Sequence, residues 1–169
     1  MNSDKKVFIY GVPGTGKTYL SKLLGKKLNL PVVEGDKIKS KLKQIVSKKQ
    51  SPFLYLGTCQ AYKEFGELNR ENTIKGMLAV RSALSDAVAD EIKDRDNFIL
   101  EGAFLDPNLL IKTGKVILLV VLDEARHKKQ FLNHREKLLD FTGNEFKAAR
   151  IIQDYFIDEA KKLGVEIKS

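Results

Sequence analysis

Short apolar runs alternate along this chain with longer stretches whose apolar residues recur every three or four positions. Val7-Phe8-Ile9-Tyr10 is the first such run and reads as a buried parallel strand. Leu20, Leu23, Leu24 and Leu28 then follow at helical spacing. Asn29-Leu30-Pro31 breaks that helix, Val32-Val33 gives a short second strand ended by Gly35-Asp36, and a helix over about 36–47 is expected next. From about 53 to 93 the pattern is mostly helical with breaks near Gly57 and Gly66. Its clearest part starts near Asn69 and carries Ile74, Met77, Leu78, Leu84, Val88 and Ile92 on one face. Asn97-Phe98-Ile99-Leu100 reads as a third strand ending in Glu101-Gly102. The run within 115–122 is too apolar for a surface strand and belongs at a sheet centre. Asp123-Glu124 opens a helix with His127, Phe131 and Arg135. Thr142-Gly143-Asn144 is a turn, an amphipathic helix spans about 145–162, and Gly164 to Ile167 fits a final strand.

Strands alternating with helices predict an α/β protein in three α/β/α layers around a five-stranded parallel sheet. No internal repeat or low-complexity linker divides the chain, so one domain over 1–169 is expected. Within it, about 50–95 forms a helical insertion that could cover a substrate, and about 136–147 could form a short lid.

Between the first strand and the first helix lies Gly11-Val12-Pro13-Gly14-Thr15-Gly16-Lys17-Thr18, a full match to the phosphate-binding loop pattern. Its glycines permit positive φ and close approach of the backbone to a ligand. Successive N–H groups can form an anion nest, reinforced by the helix N-terminus that follows. Val12, Pro13, Gly14, Thr15, Gly16, Lys17, Thr18 and Tyr19 are therefore candidate nucleotide contacts, with Lys17 on the phosphates and the Thr18 hydroxyl on Mg²⁺. This places the chain in the P-loop NTPase fold class.

Composition narrows the picture. The 169 residues are 43% hydrophobic and 31% charged, as in a globular protein. A single cysteine, Cys59, suits a reducing compartment, no apolar stretch approaches membrane-spanning length, and Met1 to Lys6 lead straight into the first strand. A cytoplasmic location follows as an expectation. The net charge of +8 and pI of 9.4 suit anionic partners. Lys37, Lys39, Lys41, Lys43, Lys48 and Lys49 read as a solvated face or as attraction for an anionic substrate. No helix-turn-helix, zinc finger or aromatic RNA-binding motif accompanies them, which argues against nucleic acid as the partner.

A phosphate loop does not by itself separate kinases, hydrolases and switches. The short chain, the missing Asn-Lys-x-Asp guanine signature and the acid-bearing strand ends at Asp36 and Glu101 favour a small-molecule kinase. Asp36 is the candidate to orient an acceptor hydroxyl, take its proton or hold the metal through water, with helix capping as its structural role. Glu101 and Gly102 could bind the acceptor or support the metal, and Arg81 is a further candidate acceptor contact. Positive charge for the transferring group could come from Arg126, Arg135 or Arg150, with Arg135 taken as catalytic and Arg150 as a nucleotide contact. His127 and His134 read as polar helix-face residues, and Tyr55 and Tyr62 as packing in the insertion.

Four further stretches resemble the archaeal 2-phosphoglycerate kinases and their P-loop kinase relatives: Phe98 to Phe104, Leu122 to Phe131, Phe146 to Tyr155, and Glu71 to Gly76. The resemblance covers most of the chain from Gly11 onward. It implies ATP- and Mg²⁺-dependent phosphorylation of a hydroxyl on a small phosphorylated acid, and roles for Arg150 and Gln153 around the nucleotide or the lid. Where the family continues Glu-Gly with a small apolar residue and His, this chain has Ala103-Phe104, and Leu105-Asp106-Pro107-Asn108 replaces the usual Val-Pro-Gly. Those departures leave room for another acceptor. Two other readings stay open: an adenylate-kinase-type nucleoside or nucleotide kinase, and an RNA-stimulated assembly ATPase.

Overall fold

The computed structural model describes residues 5–133 and 142–169. The strands are β1 (Lys6–Tyr10), β2 (Val32–Glu34), β3 (Phe98–Glu101), β4 (Lys115–Leu119) and β5 (Glu166–Lys168). They form a five-stranded parallel sheet in the order β2-β3-β1-β4-β5. The helices are α1 (Lys17–Leu28), α2 (Gly35–Lys43), α3 (Arg70–Lys93), α4 (Pro107–Leu110), α5 (Glu124–Asn133) and α6 (Asn144–Leu163). The expected three-layer α/β/α architecture is the one observed.

Strand alternation sorts the core into two faces. Val7 and Ile9 of β1, Ile99 of β3 and Ile117 of β4 point one way, against Leu20 and Leu24 of α1. Phe8, Tyr10, Phe98, Leu100, Val116 and Leu118 point the other way, into the larger cluster with α3 and α6. Both faces are covered, so the central strands read as unbroken apolar runs rather than alternating ones.

Several boundaries differ from the sequence expectation, each for a visible reason. The fourth strand stops at Leu119 instead of running to 122. Beyond it the side-chain amide of Gln153 takes the place of a neighbouring strand, accepting from Val121 N and donating to Val121 O, both at 3.0 Å. The helix after β2 ends at Lys43, short of the expected 47, and begins at Gly35 with Glu34 at its N-cap. Asp36 therefore sits in the first turn rather than at the cap. Between α2 and α3 the mostly helical stretch resolves into short 3₁₀ turns, Pro52–Tyr55 and Ala61–Glu64, with Leu54, Cys59, Ala61 and Tyr62 buried in the larger core. α3 itself is capped by Asn69, whose side chain accepts from Asn72 N at 2.8 Å. Gly76 lets α3 settle on the second turn: a Cβ there would lie 2.5 Å from Ala61 C and Tyr62 N.

Candidate functional site

In register, β1, β3 and β2 reach the same rim: Ile9 pairs with Glu101, and Glu34 pairs with Glu101 from the other side. The phosphate loop leaves β1, Glu101-Gly102 leaves β3, and Gly35-Asp36 leaves β2. These three exits therefore share the carboxyl edge of the sheet, where open α/β sheets bind ligands. They line a cleft of about 400 Å³ together with Pro13, Gly14, Gly16, Lys17, Thr18, Tyr19, Lys39, Gly57, Thr58 and Phe104.

The loop has the conformation its glycines permit. Gly14 and Gly16 take φ of 82° and 88° in the left-handed region. Gly14 lies directly on α5, where a Cβ would come within 2.7 Å of Phe131 Cα. Thr15 Oγ1 donates to Val12 O at 2.9 Å, and Lys17 Nζ donates to the same carbonyl at 3.0 Å. α1 starts with no side-chain cap and no acid in its first turn, so its N-terminal N–H groups present their partial positive charge to the cleft.

Opposite the loop, Glu101 is buried and accepts from the Thr18 hydroxyl at 3.3 Å. Burial raises its proton affinity; Lys17 opposes that shift and Asp36 adds to it. Asp36 is exposed on the cleft wall. Lys39, one turn further along α2, lines the same cleft and donates its ammonium to Leu56 O.

The arginines are arranged differently from the expectation. Arg81, a candidate acceptor contact from the sequence, is not among the residues lining the cleft: it is buried, forks onto Glu159 with bonds of 2.9 and 3.2 Å, and lies over the face of Phe156. It lines a separate apolar cavity shared with Phe104, whose ring also walls the cleft. Arg150 donates to Val121 O at 2.8 Å, Leu122 O at 3.3 Å and His127 Nδ1 at 3.2 Å. Arg126 is exposed on α5. Arg135 and His134, like the first half of the expected lid (136–141), lie outside the described residues.

His127 corrects the sequence reading most. It is fully buried, not on a polar helix face. Its Nε2 lies 2.9 Å from Pro13 O in the phosphate loop, and its ring packs edge-on against Phe131 and Phe146. A guanidinium has only donors and a carbonyl only accepts, so Nδ1 must be bare and Nε2 must carry the proton. His127 is held neutral, its pKa lowered chiefly by burial and further by Arg150 and Lys17, while the Pro13 bond opposes the shift. Its i, i+4 spacing to Phe131 was the available sequence signal. Lys39 had a better one, since three residues after Asp36 on a helix is the same face.

No family model matches the sequence, and no curated protein matches it. Solved structures do. Shikimate kinase from Acinetobacter baumannii in complex with shikimate superposes with a TM-score of 0.58 at 13% identity, covering 98% of this chain and 82% of that one. Shikimate kinase from Bacteroides thetaiotaomicron gives 0.57 at 16% identity, with 98% and 85% covered. Deoxyadenosine kinase from M. mycoides with bound dATP gives 0.52 at 15% identity, with 96% and 89% covered. The chain thus has the fold of the P-loop kinases that act on small molecules. That likeness does not single out the archaeal 2-phosphoglycerate kinases.

Proposed function

We propose that this chain is an ATP- and Mg²⁺-dependent kinase that transfers a phosphoryl group to a hydroxyl of a small anionic acid, of which a phosphorylated acid such as 2-phosphoglycerate is the leading example. The observation that carries the reading is the shared rim: the phosphate loop, Glu101 and Asp36 line one cleft. The residues fit the ligands. The left-handed glycines and the uncapped start of α1 suit a polyphosphate. The Thr18 hydroxyl and the buried Glu101 carboxylate, already in contact, suit a hard divalent cation and its bound water. When bound, Mg²⁺ would neutralise charge on the phosphates and favour in-line transfer.

The chain's own groups then divide the work. Lys17 turns from Val12 O to the phosphate oxygens, and Asp36 orients the acceptor hydroxyl and receives its proton. Phe104 and the Gly57-Thr58 segment close the cleft walls and limit water. Charge on the transferring group would be balanced by Lys17, with Arg135 proposed as a second cation and Arg150 as a support beside the nucleotide.

The test is ADP release with ATP and Mg²⁺ across 2-phosphoglycerate, 3-phosphoglycerate, glycerate, shikimate, deoxyadenosine and nucleoside monophosphates. Lys17→Ala serves as the blank. Turnover on an anionic acid that vanishes in Lys17→Ala is expected. Turnover confined to nucleosides or nucleotides moves the chain to the nucleoside-kinase class. Hydrolysis that rises only with added RNA refutes the kinase reading.

A further inference from the structure

Among the described residues, two cations line the cleft, Lys17 and Lys39, facing the carboxylates of Asp36 and Glu101. Lys17 belongs to the phosphate loop. Lys39 stands on the acceptor side, on α2 with Asp36, and its ammonium is half-buried beneath the Leu56–Thr58 segment. An ammonium has three N–H donors. One is spent on Leu56 O, and among the described residues no carboxylate lies within ion-pair distance to neutralise the charge. A half-buried cation with no carboxylate in direct contact costs stability, and a tether to a carbonyl needs a donor but no charge. The charge is therefore the unexplained part, and it faces the place where an acceptor would sit.

We infer that Lys39 selects the acceptor: its ammonium, steadied by Leu56 O beside Asp36 and Thr58, binds a carboxylate or phosphate group of the molecule whose hydroxyl is phosphorylated. This rests on the kinase reading and adds to it the residue that recognises the substrate class. The division of labour follows from the placement. The acceptor is held at one end by Lys39 while its hydroxyl meets Asp36 on the preceding turn of the same helix.

The surrounding charges give the idea a pH signature. On its own helix Lys39 faces Lys43 and Asp36; across the cleft stand Lys17 of the loop and Glu101 of β3. The segment above contributes Gly57 and Thr58, and α3 contributes Val80, none of them charged. Burial first, then Lys43, lowers the Lys39 pKa to about 8, and Asp36 opposes this. A bound anion favours the protonated form, so binding near pH 8 takes up a proton. Above that pH the acceptor side of the free cleft loses its cation and acceptor affinity falls.

The experiment uses full-length protein labelled with [ε-¹³C]lysine and saturated with Mg²⁺ and a non-hydrolysable ATP analogue, so that added anions do not compete for the phosphate loop. Glycerate, 2-phosphoglycerate and shikimate are titrated in turn, with glycerol as the neutral control. The Lys39 resonance, assigned by its loss in Lys39→Gln, titrates near pH 8 alone and moves upward with at least one anion but not with glycerol. Lys39→Gln keeps a donor for Leu56 O without the charge, and weakens that anion about tenfold or more; Lys39→Arg recovers most of the loss. Equal affinity in Lys39→Gln, a Lys39 midpoint unmoved by a bound anion, or no binding by any of the three overturns the assignment. Binding of the ATP analogue is measured first. Its failure in the wild type overturns the kinase reading as well, whereas its success beside a failed Lys39 result removes the acceptor assignment alone.

Discussion

Replacing His127 tests whether the phosphate loop is supported from beneath or holds its shape alone. His127→Ala removes a fully buried ring packed between Phe131 and Phe146, with centroid distances of 6.2 and 5.2 Å. It also deletes the donor to Pro13 O and the acceptor for Arg150. The lost ring leaves a cavity costing about 2–3 kcal/mol, and the unmet carbonyl adds about 1 kcal/mol. A total near 3 kcal/mol corresponds to a fall in Tm of about 6–12 °C for a domain of this size. A pH scan then isolates the imidazole. Its pKa is lowered in the folded chain from an ordinary 6.5, so the unfolded chain binds more protons below that value. The stability His127 contributes is complete above about pH 6.5 and is lost as pH falls toward the lowered folded value. Thermal unfolding of wild type and His127→Gln between pH 5 and 8 is the assay, with affinity for an ATP analogue measured alongside. The wild type should lose stability on acidification through a component that His127→Gln lacks. Coincident pH profiles, or a His127→Ala midpoint within about 2 °C of wild type, would refute the reasoning.

Other perturbations address the remaining parts. Asp36→Asn should keep nucleotide binding and lower turnover by about 10²–10⁴-fold, as seen in single-turnover kinetics; unchanged turnover removes it from proton transfer. Gly14→Ala places a methyl against the Phe131 backbone at a φ of 82°, so weakened nucleotide binding is expected by calorimetry, and wild-type affinity would show that the loop can rebuild. Arg81→Met strands Glu159 in the core and should cost about 3–5 kcal/mol in chemical denaturation. The double variant Arg81→Met/Glu159→Leu should recover much of that loss, and a failure to recover would mean that Arg81 does more than pair.

The fold was legible because its signals are local and mutually consistent. A strand, a Gly-rich loop and a helix in that order leave few alternatives, and the buried strands announce themselves as unbroken apolar runs. The site was legible as far as sequence adjacency reached: the phosphate loop, Asp36 and Glu101 follow strands whose exits must share an edge. What sequence could not deliver was pairing across the chain. Arg81 looks like any helix arginine until Glu159, 78 positions later, captures it. His127 looks like a polar face residue until Pro13, 114 positions earlier, supplies its acceptor. The early end of β4 has the same origin, since Gln153 caps Val121 from 32 residues away.

These long-range pairings follow a division of charge. The core keeps its ions neutralised in place: Arg81 by Glu159, and His127 by staying uncharged between a carbonyl and a guanidinium. The cleft does the opposite. Glu101 is buried with only a hydroxyl bond beside the more distant pull of Lys17, and Lys39 is half-buried with only a carbonyl bond beside the more distant pull of Asp36. Burial pushes both toward their neutral forms, Glu101 upward in pKa and Lys39 downward. A fold able to close an ion pair across 78 residues in its core has no need to leave these charges poorly matched for stability. A cation beside Glu101 and an anion beside Lys39 would relieve the mismatch, which is what the proposed metal-bearing phosphate donor and acidic acceptor would bring to Asp36.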